Sequence, residues 1–169
     1  MTKTVFQFTA LFIILLFAQV LVFNNICLFN VAVPFVFIYF IVRLPITLAT
    51  NWVLTLAFLL GLSVDIFSNT QGMNALGCTI LAMSRCSILH LYFPREDELT
   101  NPEPSVRSLG LYVYVRYLLT MVLLYCLLIF SIEACSFFMP GLLIMRIVFS
   151  SLLTFLLLLG LDILVSQRE

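Results

Sequence analysis

Gly61-Leu-Ser-Val-Asp65-Ile-Phe-Ser68-Asn-Thr-Gln-Gly72-Met-Asn74-Ala-Leu-Gly77 lies between two apolar runs, each long enough to cross a bilayer. The stretch contains a carboxylate, hydroxyls, amides and three glycines, whereas its flanks are almost entirely apolar. A charge beside hydrocarbon costs free energy, so its presence indicates a structural or functional purpose. The stretch predicts a corner at the membrane surface, where one spanning helix ends and the next begins.

Composition establishes the class of protein. Of the 169 residues, 63% are hydrophobic and 9% are charged, and the mean hydropathy is +1.20. Soluble proteins are about half apolar and about one quarter charged. We therefore predict one integral membrane domain over residues 1–169, with an all-α fold. The net charge is zero and no basic stripe is present, which argues against nucleic acid as a partner.

Apolar runs of about 17 to 25 residues predict the membrane spans. The second run contains Asn30 and Pro34 and only just reaches the lower limit, so it is predicted to be kinked or partly re-entrant. A hydrophilic stretch over 94–108, with three prolines and four acidic residues, predicts a solvated loop. The compact bundle of about six transmembrane helices is predicted over 5–23, 26–42, 46–64, 74–93, 109–132 and 141–165.

Basic residues outside the predicted spans set the orientation, because cytoplasmic connections carry an excess of lysine and arginine. With the amino terminus inside, all of these residues fall on the inner side. Both termini and the 94–108 loop are therefore predicted to be cytoplasmic. The basic residues in question are Lys3, Arg43, Arg95, Arg107 and Arg168.

The corner around Asp65 is the strongest candidate site for a partner or ligand. Hydroxyl and amide side chains there can satisfy backbone groups where a helix ends, and glycines permit close helix approach. The alternative is that Asp65 only reaches the lipid headgroups. The candidate residues are Gly61, Asp65, Ser68, Gly72, Asn74 and Gly77.

The remaining charges within the predicted spans fall into two groups. On the outer side, Glu133 and Arg146 are expected near Asp65, as a site or as structural ion pairs. On the inner side, Arg85 and Arg116 have similar predicted depths. They either extend to the inner headgroups, face Asp162, or hold an anionic lipid headgroup in a basic pocket.

Other chemistry has little support in the sequence. No nucleophile and base pair, phosphate-binding glycine loop or paired-histidine motif is present, so we expect no catalysis, metal or cofactor. His90 has no partner at ligand spacing and is predicted to be interfacial. The five cysteines form no C-x-x-C pair, and Cys27 and Cys135 both lie on the predicted outer side, where a disulfide is conceivable.

The Gly61–Gly77 stretch resembles the signature of the rod shape-determining protein MreD family, in which a glycine, an Asp-x-Phe-Ser run and a following glycine recur at this spacing. The resemblance implies a noncatalytic bacterial inner-membrane subunit of the cell-elongation machinery. The implied partners are MreC, and less directly MreB and RodA with its transpeptidase, together with membrane lipids. The implied fold is similar to that of substrate-binding subunits of energy-coupling-factor transporters. A vitamin-like transporter subunit is therefore the alternative function.

The orientation can be tested by labelling a cysteine introduced at Thr100. If the 94–108 loop is cytoplasmic, a membrane-impermeant thiol reagent should label Thr100→Cys, in a chain whose five native cysteines are replaced by alanine, only after the cells are opened. The matched measurement uses the same variant in inverted vesicles, where labelling should be complete. Labelling from outside intact cells would reverse the predicted topology.

Overall fold

A computed structural model describes residues 2–23, 33–92, 104, 110–133 and 140–166, and within these residues the regular structure is helical with no strand. The first helix continues into a π-helical turn at Gln19–Phe23. The helices are α1 (Thr2–Ala18), α2 (Ile38–Arg43), α3 (Thr50–Ser68), α4 (Met73–Tyr92), α5 (Leu111–Glu133) and α6 (Pro140–Ser166).

Four of these helices are long and apolar enough to cross a membrane: α3, α4, α5 and the Ile144–Val165 part of α6. This confirms an all-helical, membrane-type bundle. The predicted spans over 74–93, 109–132 and 141–165 agree with α4, α5 and α6 to within two residues. Most of the predicted 94–108 loop lies outside the described residues.

Two predicted spans, 26–42 and 46–64, need correction. The span over 26–42 is wrong as a continuous helix, because only Ile38–Arg43 is helical and residues 33–37 are not, while 26–32 lie outside the described residues. Pro34 gives the reason, since proline lacks an N–H and disfavours helical geometry in the residue before it. The predicted 46–64 helix instead covers Thr50–Ser68. The first predicted span, 5–23, lies within the continuous helical stretch of α1 and the π-helical turn over 2–23, in which the apolar helix Gln7–Leu21 is shorter than the four spanning helices.

The segment from Phe35 to Leu44 forms the centre of the bundle. All of its side chains are buried, and α2 contacts α1, α4 and α5. Phe35 and Phe37 pack edge-to-face on Tyr125 of α5, with ring centroids 5.3 and 5.7 Å apart. Such aromatic contacts favour defined geometry beyond the area they bury. This short element is therefore a fixed part of the core.

Side chains from two helices satisfy the non-helical backbone before α2. Gln19 accepts from the Val36 amide at 2.9 Å and donates to the Pro34 carbonyl at 3.0 Å. From α6, the Thr154 hydroxyl accepts from the Phe35 amide at 3.1 Å, and the Ser150 hydroxyl accepts from the Val33 amide, also at 3.1 Å. Irregular backbone is tolerated at membrane depth only when protein groups replace the missing helical hydrogen bonds. These side chains supply them.

Close contact between α3 and α4 depends on Gly61. A Cβ atom at this position would lie 2.6 Å from the Ala75 Cα and from the Asn74 carbonyl oxygen, so the two backbones touch directly. Gly77 has a similar role against α5, because a Cβ there would be 3.0 Å from Ile129 Cδ1. Small residues allow helices in lipid to approach closely enough for van der Waals packing to hold them.

Gly61→Ala should separate α3 from α4 and destabilise the bundle by about 1–3 kcal/mol, because backbone atoms cannot move aside as a flexible side chain can. Gly160→Ala in α6 is the matched control: its added methyl meets nothing within 4 Å, so it should be neutral or slightly stabilising. Unfolding in mixed micelles measures both. Equal stability of Gly61→Ala and wild type would contradict the close contact.

Candidate functional site

The corner between α3 and α4 is built by two residues with positive φ. Asn69 ends α3 in the left-handed conformation, at φ 54°, which asparagine tolerates better than most residues. The Thr70 amide then donates to the Asp65 carbonyl at 3.1 Å. Gly72, at φ 76°, precedes α4, and its carbonyl accepts the first bond of that helix from Leu76 at 3.1 Å. Gly72 therefore occupies the position before α4 where a capping side chain is usual.

Asp65 supplies the cap that Gly72 lacks. Its Oδ2 accepts from the Ala75 amide at 2.8 Å, and its Oδ1 accepts from the Asn74 amide at 3.1 Å and the Asn74 side chain at 2.9 Å. The Thr70 hydroxyl also donates to Oδ1. Asp65 is only 4% exposed. A carboxylate that accepts first-turn amides also interacts favourably with the positive end of the helix dipole.

Asn74 carries this network to α5. The Tyr125 hydroxyl donates to the Asn74 Oδ1 at 2.8 Å, and Tyr125 is fully buried. One carboxylate thus links the end of α3, the start of α4 and, through Asn74, the middle of α5. The sequence singled out Asp65 and Asn74 as candidates, and the structure brings them into direct contact.

A cavity of about 170 Å³ lies beside the corner, among α1, the segment before α2, α3, α4 and α5. A buried water requires about 10–15 Å³, so this space is large enough for a small molecule. Polar side chains meet apolar ones in its wall. The polar wall residues are Gln19, Ser68, Thr70, Asn74 and Glu133.

The outer charges do not form the expected cluster of three. Arg146 Nη1 lies 3.8 Å from Glu133 Oε1, and both side chains are 48% exposed. Asp65 is instead buried and bonded to the start of α4, because its oxygens are needed by backbone amides. The structure therefore separates an exposed ion pair from the buried capping carboxylate.

The inner charges are also arranged differently from the expectation. Asp162 is fully buried and accepts from the Tyr39 hydroxyl at 3.0 Å, and Tyr39 accepts from Arg43 Nη1 at 2.9 Å. Arg43 was expected in a cytoplasmic connection, but it is 4% exposed within the bundle. The reason is that α2 ends inside the core and places Arg43 one turn after Tyr39.

Arg85 and Arg116 do not share a pocket. Arg85 is 4% exposed and donates to the Leu44 carbonyl, whereas Arg116 is exposed and lies over the ring of Tyr112 at 4.2 Å. Arg116 also donates to the Tyr112 hydroxyl. The two arginines therefore belong to different faces of the bundle, which removes the expected two-arginine basic pocket.

The remaining sequence candidates are His90 and the cysteines. His90 is exposed, and no group of three or more potential metal ligands occurs among the described residues. Cys78, Cys86 and Cys126 are free thiols. The suggested Cys27 and Cys135 pair lies outside the described residues.

Sequence reasoning missed the polar side chains that support the segment before α2. The sequence analysis did not single out Gln19, Ser150 or Thr154 as candidates. A usable signal was present: Pro34 requires a broken helix, and a broken helix in hydrocarbon requires hydrogen-bonding side chains on its neighbours.

No protein-family model, curated protein or solved structure matches the chain.

Asp65→Asn should weaken the hydrogen bonds of the α3–α4 corner. The asparagine side chain has one acceptor oxygen in place of two, and its NH₂ group would face backbone N–H groups, which are also donors. Loss of hydrogen bonds to a charged group costs roughly 1.5–3 kcal/mol. Glu133→Gln is the matched control, and its half-exposed ion pair should contribute less than about 1 kcal/mol. Unfolding measurements and cell-shape complementation should both rank Asp65→Asn as the more harmful. Normal shape and stability with Asp65→Asn would make the carboxylate dispensable.

Proposed function

We propose that the chain is a noncatalytic inner-membrane subunit of the bacterial cell-elongation complex, similar to MreD. The proposal rests on the separate structural roles of four residues in the Gly61–Gly77 stretch. Gly61 gives close helix contact, Asp65 caps α4, Gly72 makes the turn and Asn74 extends the network to α5. The residues that carry the family resemblance thus act together in one corner.

Several buried or paired polar groups support a structural role over catalysis. The Asp65 carboxylate is occupied by amides and a hydroxyl, Asp162 accepts from Tyr39, and Glu133 pairs with Arg146. A general base or nucleophile must be able to reach a substrate. Asp65 is held within the bundle, where its hydrogen bonds stabilise the helix junction. We propose that the four spanning helices, together with α1 and the broken segment that ends in α2, form the membrane domain with both termini cytoplasmic, in an arrangement similar to that of the energy-coupling-factor substrate-binding subunits.

The partner surface is best sought on the outward side of the α3–α4 corner. Gly61 and Gly77 already contact neighbouring helices of the same chain, so a partner helix has to use exposed residues beside them. Leu62 and Ile66 are exposed and lie one turn apart on α3. We propose that this stripe receives the transmembrane helix of MreC. MreB, RodA and its transpeptidase would then associate less directly.

A second function is favoured by the 170 Å³ cavity. Its mixture of amide, hydroxyl and aromatic groups resembles the lining of a small-molecule site, in which a few polar groups fix orientation within an apolar wall, and its volume is below the roughly 300–1,000 Å³ of usual ligand pockets. The chain would then be the substrate-binding subunit of a vitamin-like transporter. The two functions require different partners: MreC in one case, an ATPase module in the other.

Copurification in mild detergent tests the proposal. Wild-type protein should retain MreC. The double variant Leu62→Trp with Ile66→Trp should reduce that recovery by roughly tenfold, equivalent to about 1.4 kcal/mol of binding free energy. Leu152→Trp with Leu156→Trp on α6 is the matched control, because these residues are also exposed and one turn apart.

Three outcomes would count against the proposed function or the proposed α3 interface. Recovery of an ATPase module in place of MreC would support transport and overturn the elongation proposal. Loss of MreC with the α6 pair alone would move the interface to α6. Loss of MreC with both pairs would mean that the effect is general and that the α3 stripe is not the interface.

A further inference from the structure

Arg85 is a buried cation whose charge is not neutralised by a carboxylate among the described residues. Its side chain is 4% exposed, one nitrogen donates to the Leu44 carbonyl, the guanidinium also interacts with the Tyr117 hydroxyl, and its Nε–H has no acceptor. The Glu133–Arg146 pair shows how other charges of the bundle are matched. Charges within membrane bundles are normally paired, because burying an uncompensated ion is costly. Arg85 therefore points to an anionic ligand.

A small cavity accompanies Arg85. It measures about 60 Å³, and its wall includes the Thr50 hydroxyl, the Cys86 thiol and the apolar side chain of Val53. Since a buried water requires about 10–15 Å³, the space accepts about four to six oxygen-sized groups. This is the size of a phosphate group. A guanidinium is also well matched to phosphate, because its planar N–H groups can bind two oxygens together.

The amino terminus of α3 meets the same cavity. Thr50 is the first residue of this 19-residue helix, and the preceding residue, Ala49, provides no side-chain cap. The first-turn amides of a helix, with the positive end of its dipole, form a favourable environment for an anion. The helix terminus and the unsatisfied Arg85 Nε–H are independent features that favour the same kind of ligand.

An apolar groove of about 650 Å³ begins next to the cavity and shares Leu48 with it. The groove lies between α1, the connection from α2 to α3, and α3. Its wall is almost entirely apolar. The lining includes Phe8, Phe12, Phe40, Leu44, Leu56 and Leu59.

We propose that the cavity and the groove together bind one anionic glycerophospholipid. Its phosphate occupies the Arg85 cavity at the amino terminus of α3, and an acyl chain lies in the groove. The order of the two spaces, a cationic cavity next to an apolar groove with Leu48 in the wall of both, matches the order of headgroup and chain in a lipid. A partner transmembrane helix would fill the groove but would leave the Arg85 charge uncompensated. The site faces the leaflet that the basic-residue distribution predicts to be cytoplasmic.

Ligand addition to delipidated wild-type protein tests the proposal without any substitution. The probes are dioleoyl-phosphatidylglycerol, dioleoyl-phosphatidylcholine and inorganic phosphate, each scored by the shift in the thermal unfolding midpoint. Phosphatidylglycerol should give the largest shift. An equal shift with phosphatidylcholine would overturn the role of charge, and an equal shift with inorganic phosphate would overturn the role of the groove.

Variants locate the site by native mass spectrometry of bound lipid. Arg85→Gln should reduce phosphatidylglycerol retention at least roughly tenfold, which corresponds to about 1.4 kcal/mol. Arg116→Gln is the matched control, because Arg116 is exposed and lies over Tyr112, so retention should be unchanged. Leu59→Trp should reduce retention by filling the groove while leaving Arg85 intact.

Arg85→Gln alters the cavity and Leu59→Trp alters the groove, so the two variants test the two parts of the site separately. If Arg85→Gln does not fold, Leu59→Trp and the wild-type ligand series still decide the outcome. Retention that survives both Arg85→Gln and Leu59→Trp would overturn the site. Retention that falls equally in Arg116→Gln would indicate general surface attraction for anionic lipid and would also overturn it.

Discussion

Inside a bilayer no water replaces a missing hydrogen-bond partner, and the arrangement of polar side chains in this bundle follows from that constraint. A helix satisfies its own backbone except in its first and last turns. Two interruptions of the helices therefore need hydrogen bonds from side chains elsewhere in the chain. Asp65 serves the first turn of α4, and Gln19 with Thr154 serves the non-helical backbone before α2. The polar residues of the chain are concentrated where helices are broken.

The same constraint explains how much of the fold could be predicted. Long apolar runs specify helices that satisfy themselves, so α4, α5 and α6 were predicted closely. The region around Pro34 was not, because the chain there depends on contacts more than 100 residues away, as in the bond from the Phe35 amide to Thr154. Sequence periodicity describes neighbours along a helix and carries no information about such distant partners.

For the candidate site too, the local contacts could be predicted from the sequence and the long-range contacts could not. Asp65 and Asn74 were identified because a carboxylate and an amide beside glycines suggest a helix junction. Their mutual hydrogen bond is local, spanning nine residues. The inner charges could not be paired from spacing alone. Arg43 reaches Tyr39, and Tyr39 reaches Asp162 from a position 123 residues away, only because α2 ends inside the core. Predicted depth along a span gives no information on which face of the bundle a side chain occupies.

Asp65 and Arg85 show two solutions to the same electrostatic problem at opposite ends of the α3–α4 hairpin. Asp65 is compensated within the chain, since backbone amides and two side chains donate to its oxygens. Such a carboxylate can be rigid and needs no ligand. Arg85 is met by neutral groups, the Leu44 carbonyl and the Tyr117 hydroxyl, while its Nε–H has no acceptor. A carbonyl dipole compensates less of a full charge than an anion does. The acidic end of the hairpin therefore serves the fold, whereas the basic end favours a ligand from the membrane.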